Sequence, residues 1–171
     1  MNIVARNLSI FLLVATALPG CKKEGYFGKD YTTDPVPDIR PDVPVTIPNA
    51  IDYRPDPTVG ASKAAGGVIT IVLSIPPASG RTIKEITKIA ATTTYTQIQG
   101  TGTTGYYNTA PIPVNCTTAT FNTSLTAYVA SATGNVIAAS NAELAKRFYF
   151  LLTLDDGSQV IPMPVRVLVL D

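Results

Sequence analysis

The sequence contains no histidine and no tryptophan. Without imidazole there is no usual general base, no Ser-His-Asp triad and no common zinc ligand. Two cysteines, Cys21 and Cys116, are too few for a disulfide framework. Charge of one sign is missing as well: 13 basic residues meet 12 acidic ones, for a net charge of +1. Phosphate recognition draws on clustered Lys and Arg, so no nucleic-acid partner is expected. The remaining acids, amines and hydroxyls form no nucleophile–base pattern. The chain reads as a non-enzyme that needs no cofactor and no metal.

What is present begins with a short apolar run. Arg6 supplies a positive start, and Leu8 to Leu18 are mostly apolar. A bilayer-spanning helix needs ~20 apolar residues, so this run is too short to span. Its length suits the apolar region of a secretory signal. Leu18-Pro19-Gly20-Cys21 follows directly. This tetrad resembles the bacterial lipobox, with Leu18 and Gly20 at their usual positions and Pro19 departing from the small residue more frequent there. The resemblance implies a signal peptide at residues 1–20, cleavage before Cys21, and a diacylglyceryl thioether plus an acyl chain such as palmitate on that residue. More than one acyl chain is what makes such an anchor stable, since a single chain holds a membrane only marginally. Lys22-Lys23-Glu24 is similar to the charged starts of Bacteroidota lipoproteins, which implies the cell outer membrane without deciding its surface or periplasmic face.

Residues 21–65 are expected to be the lipidated N-terminus and a disordered Pro-rich tether. Seven prolines fall between Thr32 and Pro57, and proline neither donates an N–H nor leaves φ free. A polyproline-II-like spacer of residues 22–65 would reach on the order of 100 Å.

Residues 66–171 read as an all-β domain. GVITIVLSI (67–75) alternates with Ile69, Ile71, Leu73 and Ile75 on one face, and Pro76-Pro77 stops it. In residues 82–91, Ile83, Ile86 and Ile89 are spaced by three. A bulged strand accounts for this, because one extra residue breaks the period of two; a short helix with a Thr82–Glu85 capping box is the alternative. Thr117 to Ala130 suggests one strand or two broken by a bend, and Asn141 to Lys146 one helical turn capped by Asn141. RFYFLLTL (147–154) and its return limb, 159–170, flank Asp155-Asp156-Gly157, a strong hairpin turn. Pro111 with Pro113, and Pro162 with Pro164, each remove two donors from one side of a strand. Both segments therefore read as blunted edges.

Six to eight short strands at this length indicate a β-sandwich. The pattern from Ile69 through TIKEI to FYFLLTLDDGSQV and VRVLV resembles immunoglobulin-like domains of small Bacteroidota lipoproteins. That resemblance implies an immunoglobulin-like β-sandwich carried on the tether as a binding module.

Among candidate sites, Tyr106 and Tyr107 lie in a Gly/Thr-rich stretch expected to face solvent, where paired rings suit stacking on a glycan. Asp155 and Asp156 fall short of the oxygen count that calcium requires, and Cys116 is expected to be a small buried apolar residue. Two functions follow. One is a membrane-anchored, non-catalytic module for a glycan or protein ligand. The other is a structural or assembly lipoprotein of an envelope complex with no small ligand.

Overall fold

A computed structural model describes residues 43–102 and 104–171. The expected signal peptide, Cys21 and the expected tether as far as residue 42 lie outside the described residues. Nine strands are found among the described residues: β1 (Thr58–Ser62), β2 (Val68–Ser74), β3 (Ile83–Thr92), β4 (Ile112–Cys116), β5 (Thr118–Ser124), β6 (Ala142–Glu143), β7 (Arg147–Leu154), β8 (Gln159–Val160) and β9 (Arg166–Leu170). Two short helices, α1 (Thr96–Gln99) and α2 (Leu125–Ser131), complete the elements that matter below.

The chain is all-β with its strands in sandwich-like sheets. β2 pairs with β5, and the facing sheet runs β4-β3-β7-β8. Ile69, Ile71 and Leu73 of β2 meet Ile83, Ile86, Ile89, Phe148, Phe150 and Leu152 in one core, each fully buried. Phe121 of β5 bridges the layers, with its ring 5.9 Å from Phe148 and 5.8 Å from Phe150.

β3 settles the alternatives for residues 82–91 as a bulged strand. Its pairing with β7 shifts register between Ile83 and Glu85 and again between Ile86 and Lys88. Each shift inserts one residue, so isoleucines three apart return to the same inward face. The Asp155–Gly157 turn closes β7 onto β8 as expected, with Gly157 at φ 84°.

The return limb is not one strand. β8 holds the sheet edge for two residues, then Pro162 and Pro164 end its pairing with β7. A single bridge, Phe148 to Val165, carries the chain into a second sheet. There β9 is the central strand of β1-β9-β6, parallel to β1 and antiparallel to β6. Pro113 does lie on an edge strand, β4.

The tether boundary at residue 65 is corrected. Residues 43–65 belong to the folded unit: Ile47 is 2% exposed, and Val59 and Ala61 of β1 are in the core. Proline does not prevent this, because the segment docks through groups proline leaves free. Pro44 and Pro48 flank Thr46, whose N–H donates to the Ser74 carbonyl at 2.8 Å and whose carbonyl accepts from Ser74 at 2.9 Å. The Asn49 side chain then acts as a surrogate strand. Its amide donates to the Thr70 carbonyl at 2.7 Å, and its oxygen accepts from the Val72 N–H at 3.0 Å. Asp56 pairs with Arg147 of β7 at 2.9 Å.

Two further expectations change. The bend after β5 is the helix α2, N-capped by Ser124, whose hydroxyl accepts from Ala127 N–H at 3.1 Å. Leu125 and Tyr128, three apart, face inward from it. Asn141 caps no helix. It takes φ 61° and donates its N–H to the Val169 carbonyl, leading into β6.

Candidate functional site

Tyr106 and Tyr107 are placed by the long connection from β3 to β4, which folds back over the outer surface of the four-stranded sheet. β7 explains why. Phe148, Phe150, Leu152 and Leu154 face the main core, while Tyr149 and Leu151 point outward and are also buried. Leaving both outward residues in water would forfeit roughly 1.5–3 kcal/mol of burial each. The connection covers them: Ile98 of α1 packs with Ala90, Tyr149 and Leu151, and Tyr106 and Ile161 border this second small core. Tyr95 adds an edge-on ring 4.8 Å from Tyr149.

Lys88 holds this strap down. Its ammonium donates to the carbonyls of Gly100 at 2.7 Å and Gly102 at 3.3 Å and to the Tyr106 hydroxyl at 3.2 Å. It also lies 4.8 Å from the centre of the Tyr106 ring, within range of a cation–π attraction. The Tyr106 hydroxyl in turn donates to the Gln97 carbonyl at 3.0 Å. Asn108 ties the far end, accepting from Ile89 N–H at 2.7 Å and donating to the Thr87 carbonyl at 3.2 Å.

Tyr107 turns the other way, into the main core. Its ring meets Phe121 and Phe148 edge-on at 5.7 and 5.5 Å. Its hydroxyl shares a 2.6 Å hydrogen bond with Thr123 of β5, and burial pushes its phenol above the ordinary range. The two tyrosines thus point to different cores and form no paired platform. Both are half-buried, with rings and hydroxyls committed to internal contacts.

Several other charged residues are engaged in pairs. Arg81 reaches Asp156 at 2.5 Å and Asp155 at 3.8 Å, joining the β2–β3 loop to the β7–β8 turn. The Ser158 hydroxyl and N–H donate to Asp156 at 2.6 and 2.9 Å. Those bonds first, and Arg81 after them, hold its carboxyl below the usual range. Glu143 pairs with Arg166. Cys116 departs from expectation: it is exposed at the end of the edge strand β4. The N–H groups of Thr118 and Thr117 pull its thiol below the ordinary value.

Among the described residues no group of three or more His, Cys, Asp or Glu is placed to hold a metal ion, and no helix is long and apolar enough to cross a membrane. Sequence reasoning missed Lys88 as the organiser of the tyrosine strap. The available signal was a lysine on a strand whose neighbours Ile86 and Ile89 face the core, which aims its stem at the opposite surface. No family model, no curated protein and no solved structure matches the chain.

Proposed function

We propose that the chain is a cell-envelope lipoprotein, acylated at Cys21, that presents a non-catalytic β-sandwich as a binding module for a protein ligand. The observation that carries this reading is the apolar run Leu8–Leu18 ending in Leu18-Pro19-Gly20-Cys21. The position of the folded unit supports it. From Cys21 to Val43 a polyproline-II-extended chain would span at most about 70 Å, enough to clear lipid headgroups though shorter than a spacer running to residue 65.

The protein ligand is favoured over a glycan because Tyr106 and Tyr107 are spent on packing. The chain joins the sandwich at the end bearing the 75–82 loop, where Thr46 meets Ser74. The opposite end, beyond β5, carries exposed Val129, Val136 and Ile137. An immunoglobulin-like topology is part of the proposal. β2 and β5 in one layer, β3 and β7 central in the other, and the parallel β1–β9 pairing all support it.

The test is metabolic labelling of intact cells with an alkyne palmitate analogue, followed by fractionation. The wild-type chain should carry label and sediment with the outer membrane, and Cys21→Ala should lose both. Identical labelling and fractionation of the two chains would refute the anchor. Photo-crosslinking from position 136 or 137 should then trap one discrete protein adduct. Absence of any adduct at both positions would refute this end as the ligand surface.

A further inference from the structure

Among the described residues strand edges are guarded except at β5. The β1 edge is covered at both ends, where Thr58 bonds to Ile51 and Asp52 and the Ser62 carbonyl accepts from Gly67 N–H. The β2 edge is covered by Thr46 and the Asn49 side chain. The β4 edge carries Pro113 and a left-handed Asn115 at φ 53°. β8 and β6 are two residues long, and Pro162 follows β8 after one residue, Ile161. These are the ordinary devices against unwanted pairing. β5 has none of them. It is seven residues of TATFNTS, without proline or charge, and β2 is its one strand partner among the described residues.

Which backbone groups are free follows from the register. Ile75 N–H donates to the Thr117 carbonyl and Leu125 N–H to the Gly67 carbonyl, at the two ends of the β2–β5 ladder. Antiparallel bonding alternates by residue. Ala119, Phe121 and Thr123 therefore bond to β2, while Thr120 and Asn122 aim both N–H and C=O at the open edge. The same alternation sends the outward groups of Thr70, Val72 and Ser74 to Asn49 and Thr46 on the far side of β2, as observed.

We infer that β5 is a homodimerisation edge, pairing antiparallel with β5 of a second copy. A two-fold axis at Phe121 sets Thr120 opposite Asn122 and Thr118 opposite Ser124. Both of these pairs are able to exchange side-chain hydrogen bonds, and every facing pair is neutral, with no like charges opposed. Phe121 meets its own copy at the axis, on the inner face that already holds Phe148 and Phe150. The product is a four-stranded β2-β5-β5-β2 sheet whose outer edges are the two guarded β2 edges. The contact is isologous and closes at two subunits rather than propagating. This inference is independent of the anchor and of any ligand.

The experiment is sedimentation equilibrium of the detergent-solubilised full chain over a concentration series, beside T120K/N122K and T120K/N122E. The register puts lysine opposite lysine in the first variant, and lysine opposite glutamate in the second. The wild type should dimerise, T120K/N122K should dissociate with a Kd at least roughly tenfold weaker, and T120K/N122E should retain the dimer. Because both variants lose the same Thr and Asn, a folding defect cannot mimic that pattern. Amide exchange across residues 118–124 should slow with concentration in the wild type alone among the wild type and T120K/N122K. A wild type that stays monomeric throughout, or variants that dimerise equally, would overturn the inference.

Discussion

Replacing Ile47 by alanine removes a methylene and two methyl groups from a side chain that is 2% exposed. At ~0.8 kcal/mol per buried carbon the transfer loss is roughly 2.4 kcal/mol. A residual cavity between the 46–49 segment and β2 raises the cost to about 3–4 kcal/mol, inside the ~2–5 kcal/mol spanned by such truncations. For a folded unit of this size that corresponds to a fall in Tm on the order of 10 °C. Ile51, four residues later, supplies the internal control. It is 59% exposed, so Ile51→Ala should change stability by less than about 0.5 kcal/mol. Urea and thermal unfolding of the purified full chain, followed by circular dichroism, measure both. A large loss for Ile47 beside none for Ile51 places the segment in the cooperative unit. Equal, small effects at the two positions would show that residues 43–57 are not part of it, and would restore the longer tether.

Lys88→Met keeps the apolar stem but removes the ammonium that gathers two strap carbonyls and a phenol. Exchange of the Gln99, Gly100 and Tyr107 amides should accelerate about tenfold, as expected for loss of a charge-assisted bond, while amides of β3 and β7 that face the main core hold their rates. Ser124→Ala removes the N-cap of α2 and should cost about 1 kcal/mol in urea unfolding; no loss would mean that the Ala127 N–H finds water at no cost. Burial raises the phenols of Tyr107 and Tyr128 above their unfolded values. Their contribution is complete below the ordinary phenol value near 10 and is lost as pH rises through the folded values. Thermal midpoints should therefore fall at alkaline pH, less steeply in Tyr107→Phe, with late-titrating phenolate absorbance that merges with the rest in urea.

How much was legible in the sequence depended on whether a residue's partner was local. The bounds of β7 follow from strict alternation in RFYFLLTL, and the isoleucine spacing in β3 already contains its two bulges. The docking of residues 43–57 was hidden because proline counting tracks backbone donors, whereas Asn49 binds β2 through its side chain. The parallel β1–β9 pairing joins residues more than a hundred positions apart, and TVGAS carries no alternation strong enough to announce a strand. In α2 the Leu125–Tyr128 spacing was masked because the surrounding Ala favours helix while the surrounding Thr favours strand. Tyr106 and Tyr107 were misjudged because their partners, Lys88 and Thr123, lie on strands distant in sequence.

The placement of proline, taken with the proposed anchor, yields one more measurable consequence. Pro44 and Pro48 frame the residue that guards β2, Pro113 blunts β4, and Pro162 with Pro164 release the chain from an edge position into the centre of another sheet. Among the described residues what stays open is the neutral strand β5, offering the backbone groups of two residues and a short row of Thr, Asn and Ser. Such a contact is small, so its occupancy in solution is governed by concentration. Confinement to a membrane raises the effective concentration of a partner without adding any contact. If Cys21 anchors the chain, chemical crosslinking in cells should capture a dimer that T120K/N122K abolishes. Cys21→Ala, exported at equal level, should reduce the yield several-fold while leaving the sedimentation Kd of the purified chains unchanged. Equal crosslinking of the anchored and unanchored chains would break the connection between address and assembly, even with the strand pairing itself intact.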